Sequence, residues 1–446
     1  MRKVSLEAIV LSLCAVAALL VIAGYASQAQ AGVTINYTAM WTEGEQHSEW
    51  LRQVATEYEA VSGNKVNITF VGRDVLTSVR SRILTGDPPD IVDQDGSEIS
   101  AALLADEILA EPLNDLLASP GLDGEAKLSD AFSAEILGLY NKEGNNYFIP
   151  FIYITSGFFY DKTLFEQAGI TVPKTWDEFI AAGEKFMAAT GKSFLAQDGN
   201  ISFYNAYYYY WACQRALGAG KFFEAATDAT GAAWDNPGYL KAAEMVHEIS
   251  KGGKNFFQEG YEGSAYPAGQ SDWALGSQGS VLCGTWLPNE VLNFIADDWK
   301  FGYFPFPTVS GGVGTTEDME AYLIGWSIPK GAKNADAAKD FMKFAINKKN
   351  AASMVDITLN MSARPDIAPP DVLVDVQPYL KGAKTFHLSY DGVMSEAGQW
   401  WVDVFYDLDN ALIFGQITPT EFISQIKEKT INFYANRTES SGTSVR

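Results

Sequence analysis

The sequence predicts an α/β protein with two or three domains' worth of chain. Two observations carry this. From Val33 to Gly96 the residues read as strand, helix, strand, helix, strand, the rhythm of a parallel sheet covered by helices. The 446 residues, 47% of them hydrophobic, also supply more chain than one core normally organises.

The first strand is "VTINYTAMW" (33–41), followed by a polar loop, "TEGEQHSEW". The helix "SEWLRQVATEYEAVSG" comes next, with Leu51, Val54, Tyr58 and Val61 on one face and Gly63 as its stop. "KVNITFVG" is a second strand, "DVLTSVRSRILTG" a second helix, and "PPDIVDQDG" a third strand ending in a loop at Asp95 and Gly96. Ligands of such sheets bind beyond the carboxyl ends of the strands. That places Trp41 to Glu45 and Gln94 to Glu98 on one rim.

The character changes around "NKEGNNYFIPFIYITSGFFYDKTLFEQAGI", a polar hairpin, a long β-rich run and a helix from Lys162. Helices with aromatic faces fill 176–250, and a Gly-rich segment with a short strand covers 269–287. The prolines and glycines of "KFGYFPFPTVSGG" read as a crossing or hinge. "AYLIGWSIPKG" is another strand, and "ADAAKDFMKFAIN" the helix after it. The chain beyond Pro370 is mostly helical, with Thr418 or Thr420 placed to cap the last helix. The polar end, 437–446, is expected to be disordered.

Arg2 and Lys3, the apolar run Ala8–Ala26 and the small-x-small Ala29-Gln30-Ala31 mark residues 1–31 as a signal peptide cleaved after Ala31. Two competitors are an uncleaved anchor, since the run is long enough to cross a bilayer of about 30 Å, and lipid attachment at Cys14, against which Leu13 stands. All three export the body of the protein, to a periplasm or cell surface.

A net charge of −23 argues against nucleic acid and anionic ligands. Cys213 and Cys283 have an oxidising compartment in which to pair, and their spacing does not decide whether they do. His47, His247 and His387 are scattered and no CxxC occurs, so neither metal nor cofactor is expected. Catalytic motifs fail on inspection. "HEIS" lacks the second His of HExxH, "TGKS" has Phe186 where a phosphate loop needs its first Gly, and GxSxG is absent. An exported glycoside hydrolase would need a positioned acid/base pair, which no spacing marks. An enzyme is not expected.

The segment "YFIPFIYITSGFFYDKTLFEQAGITVPKTWDEFIAAGEKF" resembles the signature of the extracellular solute-binding proteins of ABC importers, in their sugar-binding, maltose-binding-protein-like family. The matching positions include Pro150, Gly157, Tyr160, Asp161, Leu164, Phe165, Glu166, Gly169, Pro173, Thr175, Trp176, Asp177 and Glu178, while Ile152 and Gln167 depart from the pattern. "PPDIV", "GTWLPNE", "IPKGAKNADAAKDFMKFA", "SARPDI" and "GQITPTEFISQI" follow in family order, so the likeness covers Trp41 to Ile431. It implies a two-lobed periplasmic-binding-protein fold with a ligand cleft between the lobes. One lobe is placed at 32–150 plus 303–348 and the other at 151–302 plus 349–436, with hinges near Ile149–Tyr153 and Phe301–Phe306. It further implies a carbohydrate ligand, an oligosaccharide in preference to a monosaccharide, a monomeric receptor, and a membrane permease as partner.

The stretch "NAYYYYW" (205–211) falls where this family's second lobe contributes cleft residues. Aromatic rings suit a sugar, whose C–H faces stack on them while its hydroxyl edge needs carboxylates and amides. Asn205, Tyr208 and Trp211 share helix faces and are the candidates there. Trp286, in "GTWLPNE", is the second-lobe platform, with one of Trp400 and Trp401, Trp401 favoured, before the closing helix. Trp41, Glu43, Gln94, Asp95 and Ser97 are the first-lobe candidates, and Asp391 and Arg364 weaker ones. The same fold with another cargo is the alternative. Adjacent tyrosines suit Fe³⁺, and glycerol phosphate, polyamines or peptides are the other candidate solutes.

Overall fold

The computed structural model describes residues 32–105, 107–296 and 299–442. The signal peptide, its cleavage site and Cys14 lie outside the described residues, as do 443–446.

Strand β1 (Thr34–Ala39) buries Ile35, Tyr37 and Ala39 and lies at the heart of the first sheet. On one side β2 (Lys65–Phe70) runs parallel to it from Thr34↔Lys65 to Ala39↔Phe70. On the other side lies β3 (Ile91–Asp95), also parallel. Helices Gln46–Ser62 and Val75–Leu84 make the crossovers. The first ends where the sequence puts its stop. Gly63 adopts φ +76°, and its N–H closes on Glu59 O at 3.1 Å, a left-handed cap that glycine adopts without steric cost.

Strand β4 (Ile149–Ile154) belongs to this sheet, whereas β5 (Ser156–Asp161) belongs to a second one together with β6 (Leu195–Ala196), β7 (Ser280–Gly284) and β8 (Phe301–Phe304). The chain then returns as β9 (Asp318–Ser327), which inserts antiparallel between β3 and β4. β10 (Met361–Ser362) pairs with β4, and β11 (Thr385–Leu388) runs parallel to β9. The first sheet therefore reads β10-β4-β9-β3-β1-β2 with β11 beside β9, and the second β6-β7-β5-β8.

These pairings move the lobe boundaries drawn from the sequence. Residues 151–154 stay in the first sheet, Tyr303 and Phe304 stay in the second, and 349–388 pack on the first lobe. Helix Lys348–Thr358 lies against helix Gln46–Ser62, where Trp50 Nε1 donates to Asn350 O at 3.1 Å. The crossings consequently sit at Thr155, between β4 and β5, and at 305–317, between β8 and β9. A third follows β11. Sequence reading missed these positions because an apolar run such as Ile149–Asp161 carries no mark of where it changes sheets.

Residues 437–442 also depart from expectation. Helix Pro419–Gly442 continues through them, since adding residues to a formed helix needs no new nucleus. Its start is capped as anticipated, with Thr418 Oγ1 accepting from Glu421 N at 3.2 Å and Glu421 Oε2 accepting from Thr418 N at 2.8 Å. Cys213 and Cys283 are both buried and free, so no disulfide joins them.

Candidate ligand-binding cleft

Where the lobes face each other lies a cavity of about 580 Å³. The first lobe contributes Trp41, Glu45, His47, Arg73, Gln94 and Glu98 from the carboxyl ends of β1, β2 and β3 and the segments after them. The second lobe contributes Phe203, Tyr204, Tyr266, Trp286, Asn289 and Glu290. Tyr322, on β9, forms the floor between them with Ile154 and Ile324. Asn289 Nδ2 donates to Thr358 O at 2.6 Å and so ties the two lobes at one rim.

Trp41 is held from behind. Its Nε1 donates to Asp93 Oδ2 at 2.7 Å, and its ring stacks on His47 with centroids 3.6 Å apart. The Arg73 guanidinium lies 4.8 Å from the ring centroid, a cation–π contact. Arg73 is itself fixed by Met40 O at 2.7 Å and Glu45 Oε2 at 2.8 Å. Burial, with Arg73 adding to it, lowers the His47 imidazole to about 3, so it is neutral here. Burial pushes the Asp93 carboxyl up to about 6 against the pull of its donors.

On the opposite wall Tyr204 and Trp286 lie in an offset stack, centroids 6.3 Å apart and planes 25° apart, and Trp286 meets Tyr322 at 6.0 Å. Gly284 makes room for this indole. A Cβ there would stand 2.1 Å from a ring atom of Trp286. Glu290 accepts from Tyr266 Oη at 2.9 Å and Gln270 Nε2 at 2.8 Å. The Glu98 carboxylate opens into the cavity with no hydrogen bond or ion pair among the described residues. The residue as a whole stays exposed, and the partial desolvation of its carboxyl in the cleft, then the charge of Asp74, raise it above the usual range against the pull of Arg73.

Three of the ten sequence candidates line the cavity, namely Trp41, Gln94 and Trp286. Gln94 is spent on its own lobe, donating to Arg73 O at 2.7 Å and accepting from Asp95 N at 2.9 Å. The other seven lie elsewhere. Glu43 is exposed and pairs with Arg52. Asp95 caps the helix after β3 through Ser97 N and Glu98 N, and burial, with Glu98 next, pushes its carboxyl up to about 8. Ser97 Oγ meets Tyr140 Oη at 3.2 Å. Asn205 is used by Gln197, Gly199 and Asn410. Tyr208 lies between Phe158 and Phe257. Trp211 donates to Ser156 Oγ at 2.8 Å. Trp401 packs on Tyr390, Phe405 and Tyr406, and Trp400 donates to Thr430 Oγ1 at 3.1 Å, so neither tryptophan faces the cleft. Asp391 accepts from Phe222 N at 3.1 Å, and Arg364 is clasped by Asp123, Glu125 and Asp366.

The tyrosine run is therefore core. Helix Ser202–Leu217 is buried on every face from Asn205 to Arg215, and its rings pack on neighbours within the second lobe. Tyr207 stacks on Tyr390, Tyr209 meets Phe422 edge to face, and Tyr210 Oη reaches His387 Nδ1 at 2.6 Å. Only the first turn, with Phe203 and Tyr204, reaches the cavity. The signal that finds Tyr204 is position: the helix enters the lobe from the cleft, so its amino end alone faces the ligand.

Two sheets, interwoven crossings and a cavity walled by both lobes define a two-lobed solute-binding protein. The chain belongs to the family of bacterial extracellular solute-binding proteins, whose model matches residues 27–352. It is 23% identical over 297 residues to a diacetylchitobiose-binding protein of Streptomyces coelicolor, covering 66% of this chain and 62% of that one. It is 26% identical over 279 residues to an arabinooligosaccharide-binding protein of Bacillus subtilis, covering 58% of this chain and 55% of the relative. A Bacillus subtilis binding protein solved in an open conformation superposes with a TM-score of 0.73 at 19% identity, covering 93% of this chain and 99% of that one.

Proposed function

We propose that this protein is the extracytoplasmic receptor of an ABC importer, which grips an oligosaccharide between its lobes and delivers it to a membrane permease. The observation that carries the reading is the cavity wall: Tyr204, Tyr266, Trp286 and Tyr322 offer rings, while Glu98, Asn289, Glu290 and Asn360 stand among them as polar partners. Rings take the C–H faces of a pyranose, and carboxylates and amides take its hydroxyls. Two sugar-binding relatives in the same family support the ligand class. Ligand contacts with both walls favour the closed form over the open one, because only the closed form makes both sets at once. The lobes pivot at Thr155 and 305–317. The sugar leaves unaltered, and no metal or cofactor takes part. The ferric reading loses its basis because the adjacent tyrosines face the core of the second lobe.

A thermal-shift scan of the purified exported domain tests this. Mono- and oligosaccharides form the panel, with Fe³⁺, glycerol phosphate and spermidine as controls. A ligand at 100 times its Kd adds about 2.7 kcal/mol, a shift of a few degrees for a chain this long. A response to a saccharide series supports the reading, and a response to the controls alone overturns it.

A further inference from the structure

The walls of the cleft are charged in one direction. Glu45, Glu98 and Glu290 line it, against Arg73 as the one lining cation among the described residues. That cation is already engaged by Glu45 and Met40 O, and His47 is held neutral by burial. Glu290 has two neutral donors, Tyr266 Oη and Gln270 Nε2, and no ion pair among the described residues. Glu98 has neither. Behind it, the charge of Asp74 opposes its ionisation and Arg73 partly offsets that, while Asp95, pushed up to about 8, keeps its proton near pH 6 and brings no counter-charge.

A carboxylate facing a cleft is completed by whatever the ligand brings. A sugar hydroxyl satisfies it with one hydrogen bond. An ammonium group adds the attraction of every carboxylate nearby, and that attraction strengthens as closure expels water. Tyr204, Tyr266 and Trp286 lie on the same wall as Glu290, and aromatic faces also attract cations. A uronic acid would meet repulsion in the same place.

We infer that the cleft selects saccharides carrying a protonated amino group, and that Glu98 is the specificity-determining side chain that reads it. This rests on the saccharide reading of the cleft given above.

The test is calorimetric titration near pH 6 with three disaccharides sharing one β-1,4 backbone: the glucosamine dimer, its di-N-acetylated form, and the glucose dimer. The amine is expected to bind at least tenfold more tightly than either neutral form, the scale of one charge-assisted hydrogen bond. Its affinity falls with added salt while theirs does not. In Glu98→Gln the amine loses about tenfold more affinity than the glucose dimer does, with the unliganded melting temperature reporting that the variant is folded. Equal affinity of the amine and a neutral form overturns the inference. So does an equal loss for all three in Glu98→Gln, which would make Glu98 an ordinary hydroxyl acceptor. If the amine fails while a neutral saccharide from the wider panel binds, the inference falls and the saccharide reading survives. Silence from every saccharide overturns both.

Discussion

The Glu320 carboxylate, on β9 of the first sheet, accepts a hydrogen bond at 2.8 Å from the backbone N–H of Ser156, the first residue of the second sheet. It also accepts from the Ser156 hydroxyl, whose oxygen in turn accepts from Trp211 Nε1 at 2.8 Å. Tyr303 Oη donates to Ser156 O at 3.0 Å. One serine beside the crossing at Thr155 is thus held by groups from both lobes. Burial raises the Glu320 carboxyl above the usual range, with Ser156 opposing the rise.

Removing this acceptor leaves two buried donors without a partner, each costing about 1–3 kcal/mol. Glu320→Ala is expected to lower stability in urea by about 3 kcal/mol, and Glu320→Gln, which keeps an oxygen in place, by about 1 kcal/mol. Equal losses for the two variants would show that side-chain volume, and not the acceptor, is what matters at this junction.

Tyr204 and Tyr208 are one helical turn apart and belong to different parts of the molecule. Tyr204→Ala should lower saccharide affinity by tenfold or more, about 1.4 kcal/mol, while stability changes little. Tyr208, fully buried, should behave in reverse: Tyr208→Ala costs about 3–5 kcal/mol of stability. Titration and denaturant unfolding on both variants check this. A Tyr208→Ala protein that is stable but does not bind would return the tyrosine run to the cleft.

The space beside Gly284 gives a second handle on binding. Gly284→Ala puts a methyl group where the Trp286 indole lies, so the ring must turn away from Tyr204. Its affinity loss should approach that of Trp286→Ala, at least tenfold. Near-normal affinity in Gly284→Ala would mean that the indole does not contact ligand in this orientation.

Local pattern made the first lobe legible. Apolar spacing and a glycine stop predicted helix Gln46–Ser62 nearly to the residue, and strand-end logic placed Trp41 and Gln94 at the rim. Trp286 followed from its motif. The seven remaining site candidates lie outside the cavity for physical reasons. An aromatic run at helical spacing looks the same whether the helix is half or wholly enclosed, and Tyr208 and Trp211 proved to be enclosed. Asp95 and Ser97 carry the residue types of a polar site, and those same types cap helices. Glu98 lay within the rim stretch without being singled out, and the missed residues, Arg73, Tyr204 and Tyr322, meet only through tertiary placement, across more than two hundred positions of chain.

Asp409 supplies the pH prediction. It is fully buried, neither carboxyl oxygen has a hydrogen-bond partner among the described residues, and burial alone raises its carboxyl far above the usual range. Folded, it keeps its proton to higher pH than the unfolded chain does, where the ordinary value is about 3.9. Unfolding therefore liberates a proton, and stability falls as pH rises. His47 and His387, lowered by burial to about 3 and about 4, act in the opposite sense. They destabilise as pH drops below their unfolded value of about 6.5 and are silent above it. Between pH 7 and 8 the slope thus belongs to the buried acids. Asp95, pushed up to about 8, contributes there too, but equally in the parent and in Asp409→Asn. The parent should lose more stability than Asp409→Asn over that unit, by up to about 1.4 kcal/mol, read from urea midpoints at the two pH values. If the curves run parallel, Asp409 is ionised in the folded protein, and a carboxylate without a donor would have to be reconciled with a site that holds no water-accessible surface.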